Sequence, residues 1–553
     1  MKRRDLTASL VLAASAVTIL SGCSSDAPPP LVSVKVSPAA ARLLTCSSGD
    51  FTASVTGSTN GAVSWTVNPS TAGEIDQSGH YLTPNIVPNP TEVKLVAASR
   101  AEPSAKSSAT ATLATAFPSS ESVLTGAPGY ANLTGAGTYS HVVAARAARV
   151  YAAWPDPSDP ETAVLAVARS DDGGVTWQPA VAAISASILD DSAGGGLECP
   201  AIVIDAGDPD VIYAVAHVVA ENEYGKPLDE SASGPQTELF AVSSDAGATW
   251  TTHVLHVGAN GDVCADVTSP AADTVVVASP GWSSCTPDGD DARDIFVWSD
   301  DNRGKGFAKG TYTDAPVEYF ANGYTHALDD LAGEGCTDAH LWPESDGGTD
   351  AAGDTTESPR LFSDGAGKLC VTYVGNVTPS DGAPLPNVYL QCSTDAGATF
   401  TPPDKVDPTN DVDGSSATGA IAPDGSVAIL FTSDGDDPGS LQLALERAGT
   451  GTGFSPINSL PTYLEGSGER ARAVNPALAY DANGILWLGY RTWDSGRLVV
   501  DKSCDGGVLF SGPVAVNDGT TGLRWPSFAT VDGVAPNFVA WAPDHMGSFT
   551  LTP

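Results

Sequence analysis

Four arginines, Arg360, Arg472, Arg491 and Arg524, stand where loops meet apolar hairpins in the second half of the chain. A guanidinium offers a planar fork of donors that grips a carboxylate through two parallel hydrogen bonds, so converging arginines suit an acidic ligand. The same side chains would equally serve as ion-pair partners for the abundant carboxylates of this chain. Trp282 and Trp493 follow comparable hairpins and offer flat faces for stacking. His217 could be a metal or catalytic group, as could His340, although isolated histidines rarely are. The longest irregular stretch, 317–357, holds Glu318, Tyr319, His326, Asp330, Glu334, His340 and Glu344. Long loops on rigid scaffolds often carry function, although a solvated lid reads the same way. Two acidic loops echo each other, Asp288-Gly-Asp-Asp291 and Asp434-Gly-Asp-Asp437. Their oxygens could serve Ca2+, but neither matches the EF-hand loop. No Cys-x-x-Cys zinc spacing occurs, and no other metal or cofactor is expected.

The elements that would position these groups announce themselves by repetition. Ser170-Asp-Asp-Gly-Gly-Val-Thr-Trp177 returns as Ser243-Ser-Asp-Ala-Gly-Ala-Thr-Trp250, Ser393-Thr-Asp-Ala-Gly-Ala-Thr-Phe400 and Ser503-Cys-Asp-Gly-Gly-Val-Leu-Phe510. Each follows a short apolar strand and precedes another, so each reads as a hairpin turn. The Asp can accept from backbone N–H groups downstream, and Gly supplies a positive φ. Asp172, Asp245, Asp395 and Asp505 are therefore turn-forming carboxylates. Ser299–Phe307 looks like the same phrase with one inserted residue, which gives Asp301 that role. Upstream of the phrases run seven apolar hairpins whose turns include Asp205, Asp273, Asp364, Asp424, Asp481 and Asp532. The aromatics Trp154, Tyr373, Phe431, Tyr490 and Trp541 recur on their second strands, a pattern that favours packing between sheets over ligand stacking.

The repeated phrase resembles the Asp box of the sialidase-like (BNR-repeat) β-propellers. The resemblance implies an all-β fold with six or seven blades, seven being favoured by the hairpin count. It places the boxes on one rim and a ligand funnel on the other. The last sheet lacks a strand, and residues 122–125 could supply it beside the C-terminal strand. The family also implies three arginines on a sialate carboxylate, a Tyr–Glu nucleophile pair and an Asp acid/base. Tyr319, Glu318 and Asp330 have those residue types. The family's early Arg-Ile-Pro phrase is missing, and His141-Val-Val stands in its place. The expectation is thus recognition of an extracellular glycan or glycoprotein by a single chain, the alternative being an exo-sialidase or related glycoside hydrolase.

The front of the chain is modular. Lys2, Arg3 and Arg4 precede an apolar run that ends in Leu20-Ser21-Gly22-Cys23, which resembles a lipoprotein signal with its lipobox. That implies cleavage before Cys23, its lipidation, and anchoring at the bacterial cell envelope, at the outer membrane or cell surface. Residues 23–30 form a proline-rich tether. Residues 31–113 read as a β-sandwich resembling bacterial Ig-like domains of group 2, 114–122 as a linker, and 123–553 as the propeller.

With 26 Lys and Arg against 66 Asp and Glu, the net charge of −40 excludes nucleic acid as a partner, because no basic stripe exists to displace its counterions. Nine cysteines include Cys23, leaving eight in an oxidising setting. Hairpin positions suggest Cys370–Cys392 and Cys264–Cys285, Cys199 could meet Cys336 on the funnel side, and Cys46 and Cys504 are unassigned.

Overall fold

The computed structural model describes residues 31–124, 142–156, 164–185, 196–219, 235–259, 264–283, 292–307, 326–327, 359–377, 385–407, 414–433, 439–446, 453–465, 470–519, 524–531, 534–541 and 546–552. All regular structure among them is β. The signal segment, Cys23, Glu318, Tyr319, Asp330 and both acidic loops lie outside the described residues.

Residues 31–114 build three small sheets. Ser33–Ser37 pairs with Thr52–Thr56. Ala40–Leu44, Lys106–Ala114, Glu92–Ser99 and Val63–Asn68 form a four-stranded sheet in that order. Ser48–Asp50, His80–Leu82 and Glu74–Ile75 form the third. Side chains alternate across a strand, and Glu92–Ser99 follows the rule: Val93, Leu95 and Ala97 are fully buried whereas Glu92 and Lys94 are exposed. Phe51, Trp65 and Tyr81 fill the centre. The Tyr81 hydroxyl donates to the Ala72 carbonyl, and burial pushes its phenol up to about 12.

Among the described residues the rest of the chain builds seven antiparallel sheets, I to VII; strands follow chain order in sheets I to VI, and sheet VII takes its outermost strands from residues 117–123. Their first strands are Val143–Arg146, Gly196–Ile204, Asp266–Ala271, Arg360–Ser363, Gly414–Ile421, Ala473–Tyr480 and Arg524–Val531. Each first strand packs on the next, and that of sheet VII packs on that of sheet I. They run side by side in the same direction. Asp266 Oδ2 accepts from the Leu361 N–H at 2.8 Å, and two residues on Thr268 Oγ1 lies 2.9 Å from Ser363 Oγ. Second strands are apolar at nearly every position because both faces are covered: Val427–Ser433 is buried throughout. Trp154, Tyr373, Phe431 and Tyr490 lie in these layers, each buried against side chains of the core.

Sheet VII draws strands from both ends of this region. Met546–Thr552 is flanked by Val534–Trp541 on one side and by Phe117–Pro118 and Ser122–Val123 on the other, with Phe117 opposite Thr552 and Ser122 opposite Ser548. Pairing of this kind covers an edge that would otherwise present unpaired backbone groups.

The repeated phrases close the turns between third and fourth strands. Asp172 accepts from Ser170 Oγ (2.8 Å), the Thr176 N–H (2.8 Å) and Thr176 Oγ1 (2.6 Å), while Ser170 Oγ accepts from the Gly174 N–H. Asp245 and Asp395 repeat the pattern with Thr249 and Thr399, and Asp505 keeps it with Val508 and Leu509 N–H groups instead of a threonine. The glycine four residues after each Ser has φ between 84° and 92°, a region that L side chains resist. The irregular phrase of sheet III differs. Asp300, not Asp301, caps the turn by accepting from the Asn302 N–H. The inserted residue falls after Asp301 and shifts Gly304 and the donors beyond it by one place relative to Ser299, and the turn closes on Asp300 instead.

The cystines also differ from the expectation in two places. Cys370–Cys392 is present, joining paired strands of sheet IV. Cys199 bridges Cys264 rather than Cys336, and Cys264 is therefore not joined to Cys285. Cys199 lies in the first strand of sheet II and Cys264 just before that of sheet III, so lateral packing of first strands brings their Cα atoms to 5.1 Å. Cys285 and Cys336 lie outside the described residues. Cys46 and Cys504 form a third bridge, between the N-terminal unit and the repeated phrase of sheet VI.

Candidate functional site

The sheets have two chemically distinct ends. At the box end lie the repeated phrases and the turns between first and second strands: the Ala246 N–H of one donates to the Asp210 carbonyl of the other. At the opposite, entry end, first and third strands begin and second strands finish.

Carboxylates at the box end are engaged by their own turns. Hydrogen bonds from the threonine hydroxyl lead in holding Asp172 and Asp245 below the usual carboxylate range and Asp395 down to about 2. A second set caps the hairpin turns. Asp205, Asp364 and Asp481 each accept two N–H groups within four residues. Arg149 pairs with Asp171 and Asp210, and Arg303 with Asp273 and Asp208, tying neighbouring loops together. A cavity of about 420 Å³ opens here between sheets V and VI, lined by Asp424, Glu446, Tyr480, Asn483 and Asp505 among others. Among the described residues no three His, Cys, Asp or Glu side chains are placed to hold a metal ion.

The N-terminal unit docks on this end of sheet VI. Beside the Cys46–Cys504 bridge, Thr45 Oγ1 donates to Ser511 Oγ (2.9 Å), Ser511 Oγ to the Asn85 carbonyl (2.6 Å) and Thr115 Oγ1 to the Gly512 carbonyl (2.6 Å). Under this contact lie Asp501 and Lys502, both buried. Asp501 Oδ1 accepts from the Lys502 and Gly512 N–H groups. Burial pushes the Asp501 carboxyl up to about 7 and the Lys502 ammonium down to about 8. The Lys502 ammonium lies 4.9 Å from the centroid of the Trp487 ring.

The entry end is built differently. First strands are interrupted there by register shifts that recur in sheet after sheet. They fall between Glu198 and Ala201, Ser415 and Thr418, Val474 and Ala477, and Arg524 and Ser527. Within them Cys199, Ser416 and Asn475 have φ of 49°, 45° and 52°. A proline follows at 200, 476 and 526. Proline cannot donate to the ladder, and a bulge is where an inner strand tolerates it. Bulges also re-aim neighbouring side chains, which is why they gather beside functional sites.

The expected site residues fall at this end of several sheets. Arg360 opens the first strand of sheet IV opposite Thr372 and is buried. Arg472 immediately precedes the first strand of sheet VI and is exposed, its guanidinium 5.5 Å from the centroid of Trp493. Trp493 is 54% exposed, and its backbone N–H donates to the Arg472 carbonyl at 2.9 Å. Gly439 packs so closely on Arg472 that an added Cβ would lie 2.9 Å from that of the arginine. Arg491 sits in the adjoining second strand opposite Val474 and is half-buried. Arg524 opens the first strand of sheet VII opposite Trp541. Trp282 lies near the end of its strand in sheet III, opposite Arg293. For Arg524 and Trp282 only the backbone is described. Arg472, Trp493 and Arg491 are thus brought together on sheet VI, whereas Arg360 and Arg524 stand on other sheets.

His217 occupies the same end of sheet II, but it is buried and joined to a residue that the sequence did not single out. Its Nδ1 lies 3.1 Å from Glu238 Oε1 across the second and third strands. Ser279 Oγ of sheet III reaches the same oxygen at 3.5 Å. A second group missed from sequence is the cluster on sheet VI in which Arg497 pairs with Glu465 and stacks over Tyr463, with Ser495 donating to Glu465. The bulge prolines were a readable signal for the re-aimed strands. Nothing in the sequence pairs position 217 with 238, because cross-strand register fixes that contact.

No family model matches the chain, and no curated protein sequence does. Solved structures similar to it, all at low identity, include a protein of unknown function from Dyadobacter fermentans, with 15% identity and a TM-score of 0.42 over 65% of this chain and 95% of that one, and several enzymes that act on glycans. A polysaccharide lyase of family PL25, an ulvan lyase bound to a sulfated disaccharide repeat, has 12% identity and a TM-score of 0.46 over 78% of this chain and 96% of that one. An α-L-arabinanase from Penicillium chrysogenum has 12% identity and a TM-score of 0.42 over 78% and 99%. The intramolecular trans-sialidase from Ruminococcus gnavus has 12% identity and a TM-score of 0.36 over 75% and 95%.

Proposed function

We propose that this chain is an exported surface lipoprotein whose seven sheets are the blades of a β-propeller that recognises extracellular glycan or glycoprotein at the entry end. The observation that carries the reading is the exposed Trp493 beside Arg472. A half-exposed indole is a platform for a sugar ring, and an adjacent guanidinium can take a carboxylate on the same ring. The recurrent bulges supply a physical reason for such groups to gather at one end. In this reading residues 31–113 are an Ig-like stalk and Cys23 carries the acyl chains. Docking of the stalk on the box end supports a presentation in which the entry end faces away from the membrane.

The test is retention of the full chain on an array of neutral and acidic glycans, with Arg472→Ala and Trp493→Ala as controls. Retention by the wild type and weakened retention in both variants is expected. Absence of retention on every glycan would overturn the reading, and release of a fluorogenic aglycone from a sialoside would replace recognition by hydrolysis.

A further inference from the structure

Nε2 of His217 and Oε2 of Glu238, at the entry end, are among the buried polar atoms with no hydrogen-bond partner among the described residues. Their side chains are both only 3% exposed. Buried polar atoms in folded proteins are almost always satisfied, so open atoms on two side chains that already contact each other call for a water or a ligand. The position is structured rather than incidental. Val215, Phe240 and Val277 share one apolar cluster between sheets II and III. His217, Glu238 and Ser279 stand two residues from them along the same strands, on the same faces, and continue that layer to the entry end. The Cys199–Cys264 bridge joins the two sheets beside them, and Glu198 is the register partner of His217.

The chemistry of the open atoms narrows the ligand. With a neutral imidazole donating from Nδ1 to Glu238, both Nε2 and Oε2 are acceptors and require two donors. With an imidazolium, Nε2 becomes a donor and Oε2 remains an acceptor. A carboxylate ligand cannot donate to Oε2 in either case. An ammonium cannot accept from a protonated Nε2. Hydroxyl groups donate and accept, so adjacent hydroxyls on one ring satisfy both arrangements.

We propose that His217 and Glu238 form a polyol-binding dyad that takes adjacent hydroxyls of a neutral sugar ring between sheets II and III. The proposal rests on the reading that the entry end binds glycan. It adds that this part of the end reads hydroxyls, whereas Arg472 reads acid. Ser279 is a positioning residue that helps to hold the Glu238 carboxylate.

The probes are the methyl glycosides of galactose, glucose, mannose and fucose, titrated into the full chain with 15N-labelled histidine. The His217 ring signals are identified by their loss in His217→Asn. At least one glycoside is expected to shift them saturably. His217→Asn should weaken that glycoside at least tenfold, and Ser279→Ala two- to fivefold. Should His217→Asn not fold, Glu238→Gln and Ser279→Ala decide the matter by the same titration. If no glycoside moves the His217 signals while the chain is still retained on the array, the dyad proposal falls and the glycan reading stands. A crystal structure in which an ordered water holds both atoms and no glycoside displaces it would also overturn the dyad. Loss of array retention as well would take both readings down.

Discussion

The two ends of the sheets use the same residue types to opposite effect. At the box end a carboxylate such as Asp395 is exposed and surrounded by donors from its own turn, so its charge is stabilised and its role is complete within seven residues. At the entry end the Glu238 carboxylate is buried, shares one oxygen with His217 and has no partner for the other among the described residues. Arg303 at the box end is engaged by two carboxylates, while Arg472 at the entry end lies over an exposed indole. The lesson is that satisfaction, not residue type, separates a turn-forming group from one proposed to bind. An Asp in a repeated phrase is conspicuous in sequence because its partners are close by. A binding group is conspicuous only in three dimensions, because its partners come from other strands.

The largest test of this contrast removes the clamp between sheets II and III. Replacing Cys199 and Cys264 together by serine opens a loop of 65 residues. In the chain-entropy view this costs roughly 4 kcal/mol, read from denaturant unfolding. Glycan retention should fall with it if the entry end depends on the clamp, and an unchanged retention would detach the bridge from the site.

Asp501 sharpens the contrast within the box end. Its carboxyl is raised to about 7 by burial, so the folded protein holds a proton that the unfolded chain releases near 4. Stability is therefore expected to fall as pH rises from about 4 to about 7, by on the order of a few kcal/mol. Lys502 acts in the reverse direction. Its ammonium is lowered to about 8, and its penalty is relieved as pH rises from there toward the ordinary lysine value near 10. Asp501→Asn should remove the loss between pH 4 and 7, measured by unfolding across pH. A retained slope would assign it elsewhere.

Arg472→Ala should reduce glycan retention about tenfold, or ~1.4 kcal/mol, with no change in the unfolding midpoint. A change in both would make Arg472 part of the framework instead.

The smallest effect belongs to Thr399. Its hydroxyl leads in holding the Asp395 carboxyl near 2, and the associated stability is present above pH ~4 and lost as pH falls through about 2. Thr399→Val should move the Asp395 midpoint, followed by NMR, up toward ~4. It should leave glycan retention untouched. An unmoved midpoint would mean that the backbone donors suffice.

Legibility followed the range of the interactions. The turn carboxylates Asp172, Asp245, Asp395 and Asp505 were readable because their hydrogen bonds close within a few residues. One inserted residue near Asp301 was enough to pass that role to Asp300. The Cys370–Cys392 bridge was readable because both lie on one hairpin, whereas Cys199–Cys264 required knowing that first strands lie side by side. Cys46 and Cys504 lie 458 residues apart in sequence, and their bridge required the docking of two units.

By itself the sequence determined an all-β chain, its hairpins and their turns, because strand patterning and Asx-type capping are local. Only the tertiary structure decided that bulged first strands would meet at one end, that Trp493 would lie exposed beside Arg472, and that His217 would find Glu238. Those contacts depend on cross-strand register and lateral packing, which relate residues far apart along the chain.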